Sequence, residues 1–126
     1  MIQQKTTLKV SDNSGAKTVR CLKILGGFKK KYSKLGNIVI VSIQQLRNKA
    51  KKTSKVKKKE IYKALIIKTK ATYQKKTGYK KFFKRNTVTL LNKQENPIGT
   101  RILEPLPQNL KKKKLQKFIS ISTGLI

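Results

Sequence analysis

The chain has 126 residues, with 33 Lys and Arg against 4 Asp and Glu and a formal net charge of +29. That length supports one domain with a modest core, and that charge makes a densely anionic partner close to obligatory, because few carboxylates are available to offset self-repulsion. A membrane-spanning helix is excluded: the longest apolar run, Ile38-Val39-Ile40-Val41, is strand-sized, far below the roughly 18 residues a span requires.

In chain order, Thr6-Thr7-Leu8-Lys9-Val10 alternates and predicts a first strand. Ser11-Asp12-Asn13-Ser14-Gly15 gathers turn formers, with Gly15 free to take positive φ. Residues 16–25 predict a second strand, with Val19, Cys21 and Leu25 on one face and Arg20, Leu22 and Ile24 on the other. Gly26-Gly27 breaks it, and residues 28–36 read as a basic loop around Tyr32. Residues 37–45 predict a strand that is apolar on both faces in its middle, hence a central one. A second such strand covers residues 61–69.

Between those two strands stand Lys49, Lys51, Lys52, Lys55, Lys57, Lys58 and Lys59. A strand pair presenting a cationic loop is suited to gripping phosphates, each neutralised phosphate releasing a condensed counterion. Lysine is a point charge on a flexible stem, so such a loop holds a backbone and reads no base. The competing reading is a loop kept soluble by its charge.

Residues 71–81 predict a projecting hairpin tip, and residues 82–92 a returning strand. Asn96-Pro97-Ile98-Gly99 is a turn, followed by a short strand over residues 100–103, before Pro105 and Pro107 bend the chain away. The period then changes. Leu110, Leu115, Phe118 and Ile119 suit one side of a short helix, in a helical segment at about residues 108–117, with Asn109 as N-cap. Phe118-Ile119-Ser120-Ile121-Ser122 can finish as a strand. Closely spaced short strands with turns between them predict an all-β chain folded as a small barrel.

Tyr73, Tyr79 and Phe82 lie among Lys75, Lys76, Lys80 and Lys81. Aromatics placed between cations can stack on splayed bases, or can cap the barrel end. Asn13 is open between a turn role and contact with an RNA backbone. Arg20 is assigned to phosphate. Cys21 is expected buried on its strand. The chain has no histidine, and Asp12, Glu60, Glu95 and Glu104 are widely spaced, so no metal site or catalytic dyad assembles, and neither an enzyme nor a cofactor is expected.

Several motifs have a familiar order. Met1-Ile2-Gln3, Asp12-Asn13-Ser14-Gly15-Ala16-Lys17 and Cys21-Leu22-Lys23-Ile24-Leu25-Gly26-Gly27 resemble the opening of the large-subunit ribosomal protein L-fourteen family. Ala64-Leu65-Ile66-Ile67-Lys68-Thr69-Lys70 resembles its central strand. Leu90-Leu91-Asn92 and Asn96-Pro97-Ile98-Gly99-Thr100-Arg101-Ile102 resemble its C-terminal signature. The match runs in register over nearly the whole chain.

The resemblance implies a five-stranded β-barrel with basic loops and a short C-terminal helical region. It also implies binding to large-subunit rRNA beside neighbouring ribosomal proteins, and a bridge to small-subunit rRNA. The residues expected on rRNA are Lys17, Arg20, Lys29, Lys30, Lys31, Lys49, Lys51, Lys52, Lys55, Lys57, Lys58, Lys75, Lys76 and Lys80. Thr100, Arg101, Lys117 and Ser120 fall by motif on the family's intersubunit face, where a ribosome-silencing factor docks. Three departures stand out: Lys84-Arg85 in place of the bacterial Asp-Gly pair after Phe83, Glu104 in place of the Gly before Pro105, and the run 111–114 in place of mixed charge.

These departures, with Lys- and Ile-rich, Arg-poor usage typical of an AT-rich genome, suggest an organellar ribosome. A mitochondrial one is favoured over a plastid one, with an AT-rich bacterium left open. Residues 1–10 show neither a signal-peptide core nor an Arg-rich presequence, so the chain is expected to be made where it works, or to lack its presequence here. The alternative function is a free-standing single-strand nucleic-acid binder of the OB type.

Overall fold

The computed structural model describes residues 1–50 and 52–126. Its strands are β1 (Thr7–Val10), β2 (Ala16–Ile24), β3 (Ile38–Leu46), β4 (Ile61–Lys68), β5 (Tyr73–Gln74), β6 (Lys80–Lys81) and β7 (Thr87–Leu91). Five of them close a barrel in the order β1-β2-β3-β4-β7, while β5 and β6 pair as a separate two-stranded sheet. All barrel pairings are antiparallel except β1 with β7, the parallel seam that closes it. The expected five-stranded, all-β architecture is therefore the one observed.

The β-branched runs of β3 and β4 explain why two apolar layers exist rather than one. Side chains on a strand alternate faces. Val39, Val41, Ile43, Ala64 and Ile66 point into the barrel, where they meet Leu8, Val10, Val19, Cys21, Val88 and Leu90. Leu65 and Ile67 point outward with Leu91, and the C-terminal segment covers them with Ile102, Leu106, Leu110 and Phe118. The barrel wall is thus buried on both faces along β4. Ile2 and Val56 join the barrel core from the N-terminus and the Lys-rich loop respectively.

The second strand departs from strict alternation. Cys21 and Ile24 are both buried while Leu22 is exposed, because the β2–β3 register shifts between Cys21 and Lys23. A bulge adds one residue and reverses the faces beyond it, so Ile24, rather than Leu25, lies in the barrel.

Three other elements are shorter than expected. β7 begins at Thr87, because residues 82–86 carry no apolar alternation and bond locally instead: Phe83 N–H donates to the Thr69 carbonyl at 3.3 Å and Lys70 N–H to Asn86 Oδ1 at 2.8 Å. Residues 100–103 form no strand; Ile102 makes isolated bridges to Asp12 and Ser122. Past Pro107 the chain forms two short 3₁₀ turns, Gln108–Leu110 and Lys113–Leu115, before α1 (Gln116–Ser120). On a continuous helix Lys111 and Lys114, three positions apart, would repel one another. Asn109 lies inside the first turn, whose N-cap is Pro107 without a side-chain bond, so Asn109 caps nothing. Residues 118–120 belong to α1, and the expected final strand is reduced to the Ser122 and Leu125 bridges.

Candidate nucleic-acid interface

The barrel has two ends, and its cations divide between them. At one end the β1–β2 turn, the 47–60 loop and the 92–101 loop are laced together. Arg47 N–H donates to the Gly15 carbonyl at 2.9 Å, Lys55 N–H to the Ser14 carbonyl at 3.0 Å, and Asn13 N–H to the Arg101 carbonyl at 3.3 Å. At the other end Ile2 and Ser33 exchange backbone bonds of 3.0 and 2.7 Å, tying the N-terminus to the 25–37 loop beside the β5–β6 hairpin. β2 alone, nine residues long, spans roughly 26 Å between these ends.

A buried carboxylate organises the first end. Asp12 is fully buried. Its Oδ1 accepts from Ser14 N–H at 3.0 Å and from the Ser14 hydroxyl. Its Oδ2 accepts from Leu90 N–H at 2.9 Å and the Thr89 hydroxyl at 3.2 Å. A charged acceptor surrounded by neutral donors is held by those bonds alone. Asn13 is equally committed: its Oδ1 accepts from Thr100 and Arg101 N–H at 2.8 and 3.2 Å, and its Nδ2 donates to Thr100 Oγ1 at 2.6 Å. The residue left open between turn and RNA backbone is a structural clamp on residues 100–101.

On this scaffold Lys17 lies between two concavities. One is shared with Lys9, Arg47, Asn48 and Glu104, the other with Gln45, Asn48 and Lys58. Lys49, Lys52, Lys55, Lys57 and Lys58 are exposed along the loop; Lys51 lies outside the described residues. The loop is anchored: Val56 is 1 % exposed within the barrel core, and the Lys55 ammonium reaches the Ile98 carbonyl at 3.5 Å. Arg20 is exposed on the barrel wall, in register with Ser42.

At the opposite end Lys29, Lys30 and Lys31 surround a concavity with Lys5 and Tyr32. Lys76 and Lys80 are exposed on the hairpin, while Lys75 is half-buried. The neighbouring Lys75 side chain, with a smaller part from desolvation, holds the Lys81 ammonium below its ordinary pKa. Tyr73 stacks on Phe83 with ring centroids 6.2 Å apart. Phe83 is half-buried under the Lys68 ammonium and joins neither apolar core. Tyr79 and Phe82 remain exposed.

The expected intersubunit residues converge. Ile102 N–H donates to the Ile121 carbonyl at 3.0 Å, which lays residues 100–102 beside the end of α1. There the Lys117 ammonium donates to Asn96 Oδ1 at 2.7 Å and the Ser120 hydroxyl to the Lys117 carbonyl at 2.8 Å. Thr100, Arg101, Lys117 and Ser120 are all exposed.

The four carboxylates are used internally. Asp12 is bonded as above. Glu95 pairs with Lys63 at 3.4 Å and Glu104 with Lys68 at 2.9 Å. Glu60 accepts from the Tyr62 hydroxyl at 2.5 Å and from Lys57 N–H at 3.1 Å. These two bonds hold the Glu60 carboxyl below its ordinary value, while burial and then Glu60 push Tyr62 up to about 12. Carboxylates thus engaged leave the loop ammoniums to an external anion. Burial raises the Cys21 thiol, as suits an inert core cysteine. Among the described residues no group of three His, Cys, Asp or Glu could hold a metal ion, and no helix is long and apolar enough to cross a membrane.

Lys9, Arg47 and Lys5 join these concavities without having been expected there. Lys9 was legible as the outward residue between Leu8 and Val10. Arg47 and Lys5 were not, since only the folded loops place them beside Lys17 and Lys29–Lys31. Compared with known families, residues 1–126 match the model of ribosomal protein L14p/L23e.

Proposed function

The chain belongs to the ribosomal protein L14p/L23e family, a structural component of the large ribosomal subunit, and from that premise we propose that it braces large-subunit rRNA through cations at both ends of its barrel. One observation carries the reading: the carboxylates are engaged within the chain, so the exposed lysines of the 47–60 loop, the 25–37 loop and the β5–β6 hairpin face outward uncompensated. Phosphates neutralise them and release counterions. Lys17, Lys29, Lys30, Lys31, Lys49, Lys52, Lys55, Lys57, Lys58, Lys75, Lys76 and Lys80 take these contacts, with Lys9 and Arg47 added beside Lys17 and Arg20 contributing from the barrel wall. Lys51 belongs to the same sequence run.

The face formed by Thr100, Arg101, Lys117 and Ser120 meets small-subunit rRNA at a bridge and receives a ribosome-silencing factor. Support comes from their exposure and from Asn13, which fixes the backbone of residues 100–101. Neighbouring large-subunit proteins complete the environment. The ribosome is assigned to an organelle, mitochondrial rather than plastid, on the Lys- and Ile-rich usage and the departures at Lys84-Arg85, Glu104 and residues 111–114.

The test is sedimentation of the tagged protein from its own cells at rising salt. An assembled component stays with the large subunit past the salt that strips simple phosphate-bound proteins, and the compartment yielding those subunits fixes the localisation. Release at moderate salt, or spread over all RNA, refutes the ribosomal reading in favour of a free OB-like binder.

A further inference from the structure

The tip of the 25–37 loop presents a feature the phosphate contacts leave unexplained. Phe28 is 93 % exposed, more than any other large apolar side chain described. It is also not held loosely at random. The base of its loop is fixed by the Ile2–Ser33 exchange, and Ser33 is fully buried. The tip is shaped by Gly26 at φ +89° and by Lys29 at φ +49°. Lys5, across the concavity, has φ +67°. Left-handed backbone at two non-glycine residues of one concavity is uncommon, and such strain concentrates where a ligand is clamped.

The concavity itself measures about 540 Å³ and is bordered by Lys5, Lys29, Lys30, Lys31 and Tyr32. Phe28 precedes Lys29 in the chain and stands outside this lining, so the ammoniums suit the phosphates adjoining a base held on its ring. The Lys29 ammonium lies over the Phe28 ring, 5.5 Å from the centroid. A cation on an aromatic ring and a base on the same ring are compatible, because the two faces are independent.

We propose that Phe28 is a base-stacking platform: an unpaired nucleobase of the bound RNA lies on its ring while Lys5 and Lys29–Lys31 hold the adjoining phosphates. The proposal rests on the rRNA-binding reading above and adds to it a contact with a splayed, single-stranded nucleotide. Stacking is sequence-tolerant, since every base has a π-face, so the site selects unpaired RNA rather than a particular base.

The chain has no tryptophan, so Phe28→Trp installs a single indole at the site, excited at about 295 nm apart from the four tyrosines. The full-length protein and its Phe28→Ala, Phe28→Leu and Phe28→Trp variants are titrated with deproteinised large-subunit rRNA from the same cells at several salt concentrations. An exposed side chain can be exchanged without loss of fold, which circular dichroism checks. Expected is a roughly ten-fold weakening for Phe28→Ala with an unchanged salt slope, because no charge is removed. Phe28→Leu is expected to be nearly as weak. Phe28→Trp binds at least as well as the natural chain, and its emission is quenched on binding.

Wild-type affinity in Phe28→Ala overturns the proposal while leaving the rRNA reading intact. Equal affinity of Phe28→Leu and Phe28→Trp, or unquenched emission, also overturns it and assigns the ring to an apolar contact, such as a neighbouring protein. No binding by the natural chain refutes the rRNA reading itself, and the proposal with it.

Discussion

Replacing Asp12 tests whether one buried carboxylate ties together the barrel end formed by the β1–β2 turn and the 47–60 and 92–101 loops. In Asp12→Ala, four donors lose their acceptor: Ser14 N–H and hydroxyl on one side, Leu90 N–H and the Thr89 hydroxyl on the other. The hydroxyls can rotate toward other acceptors, whereas the two buried backbone N–H groups cannot. An orphaned buried donor costs about 1–3 kcal/mol, so the two together cost about 2–6 kcal/mol. Relief of the carboxylate's own desolvation offsets part of this, leaving about 3 kcal/mol.

Asp12→Asn keeps the shape but only one acceptor oxygen. Turned toward Leu90, it presents its NH₂ to Ser14, whose hydroxyl can reverse to accept while its N–H stays orphaned. The expected cost is about 1–2 kcal/mol. The assay is urea denaturation followed by circular dichroism, in a sulfate buffer that screens the net charge of +29. Against a total stability of about 5–15 kcal/mol, the Asp12→Ala loss is a large shift in midpoint at constant m. A loss below about 0.5 kcal/mol, within the range of ordinary surface changes, refutes the reasoning. So does Asp12→Asn costing as much as Asp12→Ala, since the bond count would then be irrelevant.

Gly99→Ala places a Cβ 2.7 Å from Asn13 Oδ1 and 3.1 Å from the Asp12 Cβ. It should displace the 96–101 loop and lower the melting temperature, while Gly78→Ala, with open space but φ +88°, should cost only about 1 kcal/mol of backbone strain. Val56→Ala removes the apolar anchor of the Lys-rich loop. We expect about 2 kcal/mol of lost stability and weaker rRNA binding with an unchanged salt slope; a reduced slope would mean that the anchor sets how many phosphates are touched. Tyr62 binds its proton more tightly folded than unfolded, with a pKa of about 12 against an ordinary value of about 10. Its contribution is therefore fully present below about pH 10 and lost as pH rises toward about 12. Ultraviolet titration of Tyr62→Phe should lack that late phenolate. Glu60 has the opposite sign: its pKa is lowered, so its contribution is lost as pH falls through the carboxylate range.

The sequence by itself determined the element kinds and the chemistry of the surface. Alternation with period two marked β1, and the doubly apolar runs at Ile38-Val39-Ile40-Val41 and Ala64-Leu65-Ile66-Ile67 marked β3 and β4 as central strands. The scarcity of acids over the whole chain already required an anionic partner. These are local or additive properties, so they survive without coordinates. What only the tertiary structure decided depends on which segments meet. The bulge after Cys21 exchanged Ile24 for Leu25 in the core, because a one-residue insertion reverses the faces without changing the composition. Asp12 and Asn13 looked like ordinary turn residues. Their partners at Ser14, Thr89, Leu90, Thr100 and Arg101 lie up to 88 positions away, and no local pattern records such bonds. The three cationic segments, 28–36, 49–59 and 71–81, are split between two barrel ends, since strand length and loop side, not charge, determine where each loop emerges.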